Sequence, residues 1–149
     1  MSLNDVLLQD MKQAMKEREA GKLRVAVLRL LRAEIKNEEL ARRRDLNDDE
    51  IRQVVMREVK KRREVIPDFE RAGRPEAVAR LHEEIEILQA YLPPQLDEQQ
   101  VREVIAQVIE ACGAQGPKDV GRVMKEVMPR LAGRADGKLV NQLVKEALA

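Results

Sequence analysis

Three groups of residues have the types that chemistry needs. His82 and Glu86 stand four apart, so a helix would place an imidazole and a carboxylate on one face at a spacing that two metal ligands can use. A hydrogen bond or ion pair along the helix uses the same spacing, and no third ligand accompanies them. Glu83-Glu84 could supply an acid and a base, yet both lie in a charge-rich stretch with basic neighbours, the pattern of a solvated face. Cys112 is the only thiol and His82 the only histidine. Cys112 has no activating base in its pattern and reads as a small inward-facing core residue. One histidine is too few for most zinc sites, and no triad can be assembled around it. Neither GxGxxG nor GxxxxGK occurs. The sequence therefore assigns no catalytic residue, metal or cofactor, and predicts a chain that is not an enzyme on its own and acts by binding a macromolecule.

What remains is positive charge in particular places. Arg42-Arg43-Arg44 falls in a loop and Lys60-Lys61-Arg62-Arg63 in a helix, where Glu58 and Glu64 can pair along the helix and leave a solvated face. Further on, a rotation of about 100° per residue puts Lys118, Arg122 and Lys125 on one face, opposite Val120, Val123, Met124 and Val127. Arg130, Arg134 and Lys138 follow. From Gly116 to the end there are seven basic and four acidic residues. This is the expected place for phosphate contacts, with an ordinary solvated face as the alternative.

The elements that would position these residues are helices throughout. Apolar residues recur at steps of three and four, and no stretch alternates as a half-buried strand does. Seven helices are predicted. The first carries Leu3, Leu7, Met11 and Met15, and the second carries Leu23, Val27, Leu30, Leu31 and Ile35, with Gly21 as the break between them. Asn47 and Glu50 form a capping box that opens the third, whose stripe is Ile51, Val55, Val59, Ile66 and Phe69, with Pro67 expected to kink or stop it near Ile66. The fourth starts near Pro75 and carries Val78, Leu81, Ile85, Leu88 and Leu92, a spacing suited to a long antiparallel helix pair, until Pro93-Pro94 ends it. Asp97 and Gln100 open a fifth, with Val101, Val104, Ile105, Val108, Ile109 and Cys112 inward and Gly113 as its stop. A sixth runs from about Pro117 through Leu131. The seventh is capped by Asp136 and buries Leu139, Leu143, Val144 and Leu148. The expected fold is all-α: an elongated N-terminal four-helix part, residues 1–92, joined by a two-proline hinge to a small C-terminal three-helix bundle, residues 93–149.

Composition narrows the partner. Charged residues make up 37% of the chain, but 28 Lys and Arg against 27 Asp and Glu leave a net charge of only +1, so a basic surface must be local. Residues 93–149 hold eight of each sign. Phe69 and Tyr91 are the only aromatics, which removes the stacking platforms of single-strand binders. The lone thiol predicts a reducing, cytoplasmic setting. No apolar run approaches the roughly 20 residues of a membrane span, and no signal-peptide pattern is present, so no membrane partner is expected.

Asp119-Val120-Gly121-Arg122-Val123-Met124, Val127-Met128-Pro129, Gly133-Arg134-Ala135-Asp136-Gly137 and Val140-Asn141 resemble the YqeY family and the tail domain of the GatB subunit of tRNA-dependent amidotransferases. Asp10-Met11-Lys12-Gln13-Ala14-Met15, Leu28-Arg29-Leu30-Leu31, Ile35-Lys36-Asn37-Glu38 and Ile87-Leu88-Gln89-Ala90-Tyr91-Leu92-Pro93 extend the likeness over essentially the whole chain. The resemblance implies a two-part helical protein whose amidotransferase counterpart helps to hold tRNA away from the catalytic centres. It also implies that Gly121, Gly133, Arg134 and Asn141 lie at or near the tRNA-facing part of the small bundle. Gly121 and Gly133 have another reading, as a close helix approach and a helix stop. Arg134 and Gly137 stand where the amidotransferase tail tends to have Lys and Pro.

The leading expectation is a non-catalytic tRNA-associated module, accessory to tRNA-dependent amidation or tRNA handling. A protein-interaction adapter that docks a synthetase or amidotransferase component is the second reading. A carbon–nitrogen ligase activity with glutamine as amido donor, only as part of a larger complex, is the third.

Overall fold

The computed structural model describes residues 1–149, and every regular element is helical. The α-helices are α1 (Leu3–Lys16), α2 (Lys22–Arg42), α3 (Asp48–Arg71), α4 (Pro75–Gln89), α5 (Glu98–Cys112), α6 (Val120–Leu131) and α7 (Gly137–Leu148), with short 3-10 turns at Arg18–Gly21 and Pro117–Asp119. The chain divides into two compact units, Met1–Leu92 with α1 to α4 and Pro93–Ala149 with α5 to α7. No helix is long and apolar enough to cross a membrane.

In the first unit, local chemistry sets the helix ends. The Asn47 side chain accepts from the Glu50 amide at 2.8 Å while the Glu50 carboxylate accepts from the Asn47 amide at 3.0 Å, so two otherwise orphaned donors are satisfied. Ser2 and Asp5 repeat the arrangement at α1, a capping box the sequence reading missed. α3 does not stop at Ile66. It runs through Pro67 to Arg71, because the real terminator lies further on. There Gly73 takes φ +67°, the Arg74 amide reaches the Phe69 carbonyl at 3.1 Å and the Gly73 amide reaches that of Glu70. Pro67 is exposed, so the lost backbone bond faces water.

Two residues expected in the core are outside it. Met15 is half exposed and Ala14 is buried in its place; Leu30 is half exposed and Leu28 is buried. Three successive steps of four rotate a stripe by about 120°, and the step of three from Met11 to Ala14 restores it. On α2 the buried arc of Val27, Leu31, Ile35 and Leu28 spans about 100°, and Leu30 lies about 60° outside that arc. Gly21 is more than a break. A Cβ there would sit 2.0 Å from the Ala14 carbonyl oxygen, so the backbones approach where only hydrogen fits.

α3 and α4 form a helical hairpin around Gly73, held by charge as well as by aliphatic packing. Arg62 and Glu58 are buried; the Arg62 guanidinium lies 3.2 Å from Glu58 and 3.6 Å from Glu84 of α4. The fourth helix ends at Gln89, before the two prolines. Pro93 disfavours helical geometry at Leu92, and Tyr91 turns its hydroxyl to donate to Asp10 of α1 at 2.6 Å. Burial and that carboxylate hold the phenol protonated far above its usual range.

The second unit has a wholly aliphatic core. Val101, Ile105 and Val108 of α5 pack with Val123, Val127 and Leu131 of α6 and with Val140, Leu143, Val144 and Leu148 of α7. Val140 belongs to this core although the predicted stripe omitted it, and Leu139 is only partly buried. Asp97 and Gln100 form the capping box of α5, Gly113 closes it at φ +67°, and Asp136 caps α7. The sixth helix begins at Val120, after one 3-10 turn from Pro117.

Candidate nucleic-acid interface

α6 is strongly two-sided. Val123, Val127 and Leu131 are buried, and on the other side Gly121, Arg122, Lys125 and Pro129 are exposed, with Lys118 exposed in the turn before. The turn is anchored by Asp119, whose carboxylate accepts from the Gln115 amide at 2.9 Å and pairs with Arg122 at 3.2 Å. The Gln115 amide first, then the neighbouring cations, hold that carboxyl below its usual range. Arg122 is thus braced while still half exposed. Lys118 and Lys125 form no ion pair with the fold. A Cβ added to Gly121 would meet nothing within 4 Å. Neither α5 nor α7 approaches that glycine, and the backbone there is open.

The six cations expected to act together do not all converge. Arg122 and Lys125 lie on the exposed side of α6, and Lys118 is exposed in the 3-10 turn before it. Arg130, in the last turn of α6, points to α5, where it donates to Gln107 at 3.2 Å. Arg134 is a strut: its Nε donates to the Pro94 carbonyl at 3.2 Å, its own carbonyl accepts from the Leu96 amide at 2.9 Å, and Gln95 donates to the Gly133 carbonyl at 2.6 Å. Together these bonds clamp the segment before α5 onto the turn between α6 and α7. Gly133 is buried with φ +73°, the left-handed geometry of a helix stop. Lys138 is exposed in the first turn of α7, and Asn141 is half-buried one turn further. Gln95 has no marker in sequence, since its partner lies 38 residues away.

The other candidates are absorbed by the fold. Arg42 and Arg44 both grip Glu50, Arg44 at 2.7 Å, and Arg43 occupies a left-handed helix stop at φ +58°. Arg44 first, then the Asn47 amide, pull the Glu50 carboxyl down to about 2. The run Lys60 to Arg63 is not simply a solvated face, because Arg62 points into the core and Lys61 pairs with Glu58. Glu84 likewise turns from solvent to meet Arg62 and Arg80. His82 and Glu86 stand exposed on α4, and the Cys112 thiol is half-buried beside the Ile109 carbonyl at 3.9 Å.

Over 142 residues the chain is 26% identical to the protein of Pyrenophora tritici-repentis (strain Pt-1C-BFP) named "Altered inheritance of mitochondria protein 41, mitochondrial", covering 93% of this chain and 77% of that relative. Residues 4–148 match the family described as Yqey-like protein, and the chain belongs to that family.

Proposed function

We propose that this protein is a non-catalytic, tRNA-associated helical module that holds the phosphate backbone on the exposed face of α6. The observation that carries the reading is the grouping of Lys118, Arg122 and Lys125 around Gly121, exposed and open to a ligand's close approach. Cations supply the sequence-independent attraction to phosphate, and a glycine lets phosphate oxygens come near backbone amides. The likeness of this segment to the amidotransferase tail domain supports tRNA as the polyanion and an accessory role in tRNA-dependent amidation or tRNA handling. The proposal keeps a reducing, cytoplasmic setting on the strength of the lone thiol, and cell fractionation tests it.

Anisotropy titration of labelled tRNA at several salt concentrations tests the main claim, with Arg122→Glu and Lys125→Glu as reversals. Arg134 is unsuitable for this purpose because its side chain braces the bundle. Binding that weakens with salt and with both reversals is expected. Affinity equal to that for random duplex, or indifferent to both, rejects the reading.

A second reading, an adapter for a synthetase or an amidotransferase component, has one observation in its favour. Between α5 and α7 lies a groove of about 460 Å³ floored by Ile105, Ala106, Ile109, Leu143 and Ala147, with Arg102 and Glu110 at its rim. An adapter would keep its protein partner after nuclease treatment, whereas an RNA-bridged association would be lost.

A further inference from the structure

The first unit contains a cation cluster that no internal carboxylate claims. Arg29, Arg32 and Lys36 follow at steps of three and four, so they share one face of α2. With Asn4 and Met11 of α1 they line a groove of about 450 Å³. None of the three forms an ion pair with the fold. Glu39 is the only acid lining the groove, and its carboxylate is engaged by the Leu46 amide at 2.9 Å.

Arg32 makes the cluster more than a charged surface. Its Nε is shut off from solvent and has no hydrogen-bond partner. Folds seldom leave a buried donor unmatched, and such a group calls for an explanation. Arg62 provides the contrast. Its Nε also lacks a hydrogen bond, but a Glu84 carboxylate faces it at 3.6 Å. For Arg32 no carboxylate lies within ion-pair distance, and Glu39, which shares the groove, is turned to the Leu46 amide. A turn of the side chain that opens Nε to the groove would let an oxyanion be held by Nε and a terminal nitrogen together, the pairing that a guanidinium makes with phosphate.

We propose that the α1–α2 groove is a phosphoryl-binding site, with Arg32 as the bidentate donor, Arg29 and Lys36 as flanking cations and the Asn4 amide at its edge. The site belongs to the first unit and the α6 face to the second, and the proposal does not depend on that face binding tRNA. The phosphoryl group can come from an RNA backbone or from a small phosphorylated molecule, since the recognising chemistry is the same.

The test is a titration of the full-length, 15N-labelled chain with inorganic phosphate at low ionic strength, reading the arginine Nε–Hε resonances. The Arg32 signal, identified by its loss in Arg32→Lys, is expected to move along a saturable curve and further than that of exposed Arg71. Arg32→Gln is expected to weaken phosphate binding by about tenfold, in keeping with the strength of charge-assisted hydrogen bonds. Arg29→Gln and Lys36→Gln, at exposed positions, give weaker binding and keep the test decisive if Arg32→Gln fails to fold. A non-saturating shift, or one no larger than that of Arg71, overturns the proposal. In a second arm tRNA replaces phosphate. Movement of the Arg32 signal by tRNA identifies a phosphodiester as the ligand, while saturation by phosphate alone identifies a small phosphorylated molecule. Loss of the Arg122→Glu effect on tRNA with the Arg32 response intact would sink the α6 reading and spare this one.

Discussion

Two glycines set the two units of the molecule against each other. Gly21 sits where a Cβ would strike the Ala14 carbonyl at 2.0 Å, whereas Gly121 has nothing within 4 Å of the same atom. The first is needed by the fold; the second is not, and helix propensity argues against it. The runs of adjacent cations in the first unit contrast with the two lysines beside Gly121, although Arg29, Arg32 and Lys36 of the first unit are unpaired as well. In the first unit Arg42, Arg44, Lys61 and Arg62 are held by Glu50, Glu58 and Glu84. In the second unit Lys118 and Lys125 stand clear while a carboxylate-free, aliphatic core forms beneath them. A run of basic residues therefore says little about binding until the acids that fold back onto it are known.

The largest effect should come from breaking the buried charges of the first unit. Arg62→Ala leaves Glu58 and Glu84 without their shared cation and should destabilise the chain by about 3 kcal/mol in urea unfolding, the range for removing one member of a buried pair. Arg62→Met, which keeps the packing, should cost less. If both changes are neutral, the network contributes nothing and the contrast between the units loses half its basis.

Next comes the close approach. Gly21→Ala should lower stability by about 2 kcal/mol, because the clashing atoms are backbone and cannot swing away. Gly121→Ala should do the reverse, raising stability by up to about 1 kcal/mol through helix propensity while weakening tRNA binding. A Gly121→Ala protein that is more stable and binds equally well would show that the open backbone has no part in recognition.

The smallest effect concerns Glu50. Its carboxyl is held at about 2 in the folded chain by Arg44 and the Asn47 amide, against 4.5 as an ordinary glutamate. The folded value is depressed, so this contribution is present above about 4.5 and fades as pH falls through about 2. The stability gap between the native chain and Glu50→Gln should be constant near neutrality and narrow between pH 4.5 and 2. A gap that does not change with pH would separate Glu50 from the charge of Arg44.

Features governed by neighbours in sequence were legible before any coordinates. The boxes at Asn47 with Glu50 and Asp97 with Gln100, the Asp136 cap and the left-handed stop at Gly113 depend on three or four consecutive residues, and apolar spacing identified the helices. Where a distant partner decides, local rules failed. Pro67 interrupts one backbone bond, but the stop at Gly73 and the burial of Ile66 decide how far α3 runs. Glu84 and Arg62 meet only because α4 folds back on α3. Arg134 has the type and position of a phosphate ligand, and no local pattern announces that its Nε also reaches the Pro94 carbonyl, 40 residues away. The grouping of Arg29, Arg32 and Lys36 is present in the spacing, but no two of these cations are adjacent in the chain. Its signal was three like charges at helical steps on one face.

The division between claimed and unclaimed cations is tested most directly by the salt dependence of tRNA affinity in two double variants. Lys118→Gln with Lys125→Gln should lower the slope of log K against log salt by about two, one for each lost phosphate contact. Arg42→Gln with Arg44→Gln should leave it unchanged, since those guanidinium groups are already held by Glu50. A slope that falls for the second pair and stays constant for the first would contradict the account.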